Sequence, residues 1–336
     1  MSERSGDELA AAITRRASLQ SYLTIRWLAD RTYRPDAFAL YAWFRWLDDA
    51  VDEHLATPDA RVRFVAQQRD LLARAVAQAS ASAASPTGDL RAGLAPEETL
   101  LVDLLRRDAS RPGRGPDGPS ECLVLALRSM LDVMDVDARR RGRTITADQL
   151  DAYTHDLAVA VTESLHHCIG HDCRSPHDET RYVAVTGAHV AHMLRDLAED
   201  LVAGYLNLPA ELLADGVPHA TTPDDPALLA ALHTPAVRDW VHERVELARE
   251  CFATGRGYLA RVDNARCRFA GHAYTARFEW VLDVIEADGY RLRPGYPERA
   301  TLRGGLSIAG RTARSALGAV VHPSPAASSP ARSGTR

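Results

Sequence analysis

Apolar positions recur along the chain at three- and four-residue spacing in long runs, and the strict alternation of a half-buried strand is nearly absent. From Asp7 to Ile25 this spacing predicts one amphipathic helix. A second opens at Arg34-Pro35, a favourable first-turn position for proline, and runs through Phe38, Tyr41, Phe44, Arg45 and Leu47 to His54. Residues 60–79 and 98–108 continue the pattern, and further helices are predicted at 120–138, 146–168, 179–203, 207–214, 226–232, 234–262 and 265–288. An Ala/Ser/Pro stretch at 80–96 and the run RPGRGPDGP at 111–119 read as loops. The expected architecture is a single all-α domain of about ten helices. It occupies residues 1–305, and an Ala/Ser/Pro/Arg-rich, largely disordered tail follows at 306–336.

Composition narrows the chemistry. All 40 basic residues are arginine, and there is no lysine. Schiff-base catalysis, Ser-Lys dyads and the phosphate-binding lysine of a P-loop are therefore excluded. Arginine remains, permanently charged and shaped for bidentate contact with phosphate or carboxylate. The formal charge of −5 offers nothing to a polyanion, so no nucleic-acid partner is expected. Five cysteines (Cys122, Cys168, Cys173, Cys251, Cys267) without matched pairs read as reduced thiols of a cytoplasmic protein. No stretch approaches the roughly 18 apolar residues of a membrane span. Association with a membrane surface stays open.

Two acidic patches carry the strongest chemical signal. Asp48, Asp49, Asp52 and Glu53 lie in an aromatic-rich helix (YAWFRWLDDAVDEH), with Arg45 one turn before the first two. Asp196, Glu199 and Asp200 repeat the arrangement with Arg195 alongside. Carboxylates four apart share a helix face and repel by about 0.2–0.5 kcal/mol per exposed pair, so something must compensate. A solvated acidic face is the plain reading of one such pair. Two of them, each inside an otherwise apolar helix and beside an arginine, fit magnesium, a hard cation held by a few carboxylates together with substrate phosphates. His155, His166, His167 and His189 have no zinc-site spacing, and Arg139-Arg140-Arg141 with Arg143 reads as a solvated turn.

The segment YAWFRWLDDAVDE (41–53) resembles the first aspartate-rich motif of squalene and phytoene synthases, and HMLRDLAEDLVAGYLNLP (192–209) resembles the second. Between and after them, the Asp137 region, TADQLDAYTHDLAVAVT (146–162) and YTARFEWVLDVIEADGY (274–290) are similar to the family's middle and last helices. The resemblance implies an isoprenoid-synthase helical bundle with a central cavity. It also implies magnesium, about two or three ions together with the diphosphate of an allylic prenyl donor. By position, Asp48, Asp52, Asp196 and Asp200 become the metal-facing carboxylates, with Asp49 and Glu199 in support. Arg45 and Arg195 become diphosphate contacts, and Tyr41 borders the cavity. Ser21 and Tyr22 fall in the family's early substrate-binding segment.

Departures from the family pattern bear on the acceptor. His192 replaces an asparagine. Tyr205 and Asn207 stand where the family has arginine and tyrosine, Phe278 replaces a tyrosine, and Ser18-Leu19-Gln20-Ser21-Tyr22 lacks the family's lysine. Fewer groups then remain for a second diphosphate. The expectation drawn from this is prenyl transfer to a non-isoprenoid, aromatic small-molecule acceptor, with His192 either as the base that removes the acceptor's proton or as a hydrogen-bonding replacement for the asparagine. The alternative is head-to-head coupling of two prenyl diphosphates. A terpene cyclase and a catalytically silent scaffold are the remaining readings, and four self-repelling carboxylates argue against the scaffold. NADPH is not expected, and donor length is not encoded legibly.

Overall fold

The computed structural model describes residues 3–81, 90–112, 118–170, 175–209, 212, 220–296 and 312. Their elements are eleven α-helices: α1 (Glu3–Ala17), α2 (Leu19–Leu28), α3 (Arg34–Asp49), α4 (Pro58–Ser80), α5 (Pro96–Ala109), α6 (Glu121–Arg140), α7 (Ala147–Leu165), α8 (Val183–Ala203), α9 (Pro226–Leu232), α10 (Pro235–Leu259) and α11 (Ala265–Ala287). The one β feature among the described residues is an isolated parallel bridge between Thr144 and Leu206. Of the expected tail at 306–336, all but Thr312 lies outside the described residues, as does Cys173; Cys122, Cys168, Cys251 and Cys267 form no disulfide among the described residues.

Helix starts follow the local chemistry. Thr57 caps α4 by accepting from the Ala60 N–H at 3.2 Å, and Thr146 with Gln149 forms a reciprocal box at the head of α7. Two expected helices differ from the observed ones. The run Asp7–Ile25 is divided, because Ser18 adopts an extended backbone and its Oγ accepts from Ser21 N–H at 3.1 Å, starting a new helix. The helix expected at 207–214 is absent over Asn207–Pro209, and beyond them only Leu212 of that segment is described. Gly204 ends α8 at φ 89, a left-handed conformation that suits glycine. Its carbonyl accepts from Gly142 N–H at 2.7 Å, and Leu206 bridges to Thr144, so the backbone leaves the helical path.

The apolar interior has two main parts. One gathers residues of α1 and α3–α7, with Trp43, Leu47 and Val51 fully buried, and the other gathers α8–α11 around Val241, Phe252 and Leu282. Burying each such large side chain contributes about 1.5–3 kcal/mol. Helices α8 and α10 approach closely because Gly187 and Gly255 lack side chains. A Cβ on Gly255 would lie 2.5 Å from Ala184 Cβ, and one on Gly187 would lie 2.7 Å from Cys251 Cβ. The first acidic patch borders the first apolar cluster and the second borders the other, so both come to the seam between them.

Candidate active site

The first patch does not sit on one uninterrupted α-helix. Asp48 and Asp49 close α3, whereas Asp52 and Glu53 belong to a π turn at Ala50–His54, in which Leu55 N–H reaches five residues back to Ala50 O at 3.0 Å. Such turns recur at functional sites because they re-aim side chains. Arg45 bridges the patch as expected. It lies 3.0 Å from Asp48, closer still to Asp49, and 3.9 Å from Glu53.

On α8, Arg195 donates from Nε and Nη2 to both Asp196 carboxylate oxygens, and His192 Nε2 lies 2.8 Å from Oδ2 of the same group. Burial works against ionisation there, but these two donors hold Asp196 well below the usual carboxylate range. Burial and Arg195 together lower the basicity of His192 despite its bond to Asp196. The two side chains are nonetheless 47% and 25% accessible, so both stay within reach of solvent and substrate. Asn207, one of the departures, donates from Nδ2 to Asp200 Oδ2 at 2.9 Å. Glu199 is exposed.

What joins the two patches is a set of residues that sequence reasoning assigned elsewhere. Tyr205, the second departure, donates its hydroxyl to Asp52 Oδ1, a direct bond between the segment after α8 and the π turn after α3. Of the arginine run read as a solvated turn, Arg140 and Arg141 are part of this junction, whereas Arg139 and Arg143 are exposed. Arg139 is exposed and pairs with Asp135 at 2.9 Å. The Arg140 side chain is only 11% accessible, pairs with Asp137 at 2.7 Å and also donates to Asn207 Oδ1. Its guanidinium stands 4.7 Å from the Tyr153 ring centroid and 5.1 Å from that of Tyr205. Arg141 donates to Asp52 O at 2.7 Å and Ala203 O at 3.1 Å, clamping the backbones of both patches. The reason for the correction is packing: α6 ends against the seam, and Asp137 one turn earlier gives Arg140 a buried partner. That i,i+3 acid–base spacing was the available signal.

The carboxylates face one another with too little positive charge. Burial, then repulsion from Asp52, pushes Asp48 up to about 7 against the pull of Arg45. Burial, then repulsion from Asp196, pushes Asp200 up to about 7 against Asn207 and Arg140. Asp137 rises to about 6, driven by burial and by Asp52, despite its bonds from Arg140 and from Tyr153 Oη at 3.1 Å. Clustered carboxylates of this kind are the oxygen donors that a hard cation takes. Among the described residues no three His, Cys, Asp or Glu side chains converge closely enough to hold a metal unaided.

Around this acidic centre, Tyr41 acts on the charges of both Arg45 and Arg277. The Phe278 ring lies 6.0 Å from His192 and 5.2 Å from Tyr274. Ser21 and Tyr22 are not brought to the carboxylates by any bond among the described residues. Ser21 serves the α2 cap, and Tyr22 stacks on Phe38 at 5.4 Å.

Comparison with known proteins bears on the fold and the family. Among solved structures, the chain is similar to squalene synthase HpnC from Alicyclobacillus acidocaldarius, with 18% identity and a TM-score of 0.61 over 87% of this chain and 97% of that one. It is similar to a ligand complex of a dehydrosqualene synthase at 15% identity and TM-score 0.62, covering 93% and 97%. It is also similar to a ligand complex of TcSQS at 17% identity and TM-score 0.63, covering 94% and 89%. No curated protein sequence matches. The squalene/phytoene synthase family model matches residues 14–305, and the chain belongs to that family of prenyl-transferring enzymes.

Proposed function

We propose that the protein couples two allylic prenyl diphosphates head to head, giving a cyclopropylcarbinyl diphosphate or the hydrocarbon derived from it. The observation that carries this reading is the pair of acidic patches held together by the Tyr205–Asp52 bond, with Asp48 and Asp200 both pushed up to about 7. The solved structures it is similar to, a squalene and a dehydrosqualene synthase, favour coupling over transfer to an aromatic acceptor.

Asp48, Asp52, Asp196 and Asp200 are hard oxygen donors short of counter-charge, and they fit magnesium together with a substrate diphosphate. Magnesium bound there supplies the charge that lets diphosphate depart. Arg45 and Arg195 orient the patches through their carboxylate pairs and present remaining N–H groups to phosphate oxygens. Cleavage of the donor's allylic C–O bond leaves the electron pair on diphosphate. The double bond of the second molecule then supplies the pair for the new C–C bond, and a proton is lost. Tyr41, Tyr274 and Phe278 form an aromatic wall beside the resulting cation, which their ring faces stabilise. His192 places Asp196 through its Nε2 bond.

Incubation with magnesium and farnesyl or geranylgeranyl diphosphate alone tests this. A thirty- or forty-carbon product is expected; release of only prenol and diphosphate, with carbon–carbon bond formation appearing solely when an aromatic acceptor is added, would reverse the reading.

We also infer that the enzyme meets an anionic lipid surface through α2. Leu19, Leu23 and Trp27 are 57%, 43% and 71% exposed and lie four residues apart on one face, and the exposed Arg15, Arg16 and Arg26 flank them. A tryptophan-bearing apolar stripe edged by arginine has the charge and amphipathicity of an interfacial helix. A hydrocarbon product would need such a sink.

A further inference from the structure

Two arginines of the site have no carboxylate partner among the described residues: Arg141 is spent on the carbonyls of Asp52 and Ala203, and Arg277 is not. Arg45 is paired with Asp48 and Asp49, Arg195 with Asp196, and Arg140 with Asp137. Arg277, on α11, forms no ion pair among the described residues. Its guanidinium carbon stands 4.7 Å from the Tyr274 ring centroid and 4.5 Å from that of Phe278, and its Nε is buried without a hydrogen-bond partner. The groups that act on its charge are the Tyr274 phenol, Arg195 and Tyr41, and its own charge is felt at His192. Arg277 therefore stands at the aromatic wall of the site, opposite α8, with a like charge nearby.

A buried guanidinium with no anion is unfavourable at rest, and beside a reacting allylic cation it would raise the barrier. Both problems vanish if a substrate anion sits on it. The donor's diphosphate belongs to the aspartate patches, so the anion left over is that of the other substrate molecule. The Tyr274 hydroxyl accepts a hydrogen bond from the guanidinium, and the N–H groups that remain can meet phosphate oxygens.

We propose that Arg277 binds the diphosphate of the second prenyl substrate, supplying from α11 a cation beside the Tyr274 and Phe278 rings. This rests on the coupling reading above.

The test is calorimetric titration of the full-length protein, in magnesium, with a farnesyl diphosphate analogue whose bridging oxygen is sulfur, which binds without ionising. The wild type is expected to take two analogue molecules per chain. Arg277→Gln is expected to keep the first and weaken the second at least about tenfold, roughly the loss of one charged hydrogen-bonded contact. Arg277→Lys, which keeps the charge but loses the fork, should fall between them. Unchanged first-site affinity and helical circular dichroism show that the variants fold. Two molecules bound equally well by Arg277→Gln would overturn the role of Arg277 and leave coupling intact. One molecule bound by the wild type would overturn the coupling reading and the Arg277 assignment with it.

Discussion

Replacing Asp48 by asparagine is expected to stabilise the metal-free protein and to end turnover. In the fold, burial and Asp52 push this carboxyl from 3.8 to about 7. For a fully enclosed group that rise corresponds to at most about 4 kcal/mol against the charged form. The Asp48 side chain is 37% accessible, and solvent screening reduces the penalty to about 1–2 kcal/mol. The sign follows from proton linkage. A carboxyl whose pKa is raised on folding imposes no penalty below its unfolded value near 4; the penalty grows as pH rises and is complete above about 7. Asparagine never ionises, so the advantage of the variant should be near zero around pH 4 and reach a plateau above pH 7.

For a chain of this size about 1–2 kcal/mol moves the midpoint of thermal unfolding by roughly 1.5–3 °C. Differential scanning fluorimetry in chelator at pH 5 and pH 8 measures it directly. Magnesium with inorganic diphosphate should raise the midpoint of the wild type at pH 8 and leave Asp48→Asn nearly unmoved. A variant equally destabilised at both pH values would mean that Asp48 is a structural ion-pair partner of Arg45, and the idea of a cation-deficient centre would fall.

Tyr205→Phe removes the one side-chain bond between the two acidic segments. A bond to a charged group contributes about 1.5–3 kcal/mol, so turnover should drop roughly 10- to 100-fold with little change in unfolding midpoint; an unaltered steady-state rate would dismiss the bridge as incidental. Away from the site, His166 is buried and donates to or accepts from Tyr258 Oη at 2.9 Å, and burial followed by Arg181 lowers its pKa to about 4. A histidine kept neutral by folding gives stability that is complete above its unfolded value of about 6.5 and lost as pH falls towards 4. Urea unfolding at pH 7 and pH 4.5 should therefore show a smaller acid loss in His166→Gln than in the wild type, by up to about 3 kcal/mol. Replacing Leu19, Leu23 and Trp27 by serine should abolish co-sedimentation with phosphatidylglycerol vesicles while leaving turnover of detergent-dispersed substrate unchanged; retained sedimentation would exclude α2 as the contact.

The helices were readable because each has a sufficient local cause: apolar periodicity, proline in the first turn of α3, α4, α5, α9 and α10, and side-chain caps at Thr57, Thr146 and Asn264. The four aspartates were readable because repulsion at four-residue spacing has no local remedy. Arg140 was not, because its surroundings come from two distant segments: Tyr153 on α7, and Tyr205 and Asn207 after α8. A run of arginines looks the same in sequence whether water or a packed seam surrounds it. The division at Ser18 was missed for the opposite reason, since apolar periodicity runs on across a cap that depends on one hydroxyl.

The substituted residues also change how the departures from the family weigh. Read singly, Tyr205 and Asn207 subtract an arginine and a tyrosine and leave the site short of groups for a second anion. In the fold they form one unit with Arg140: Tyr205 donates to Asp52, Asn207 donates to Asp200 and accepts from Arg140, and Arg140 pairs with Asp137. Positive charge lost at one position thus stands a few side chains away, still between the two patches. A site that keeps its guanidinium groups between the two acidic patches is better suited to a second diphosphate than to an uncharged aromatic acceptor.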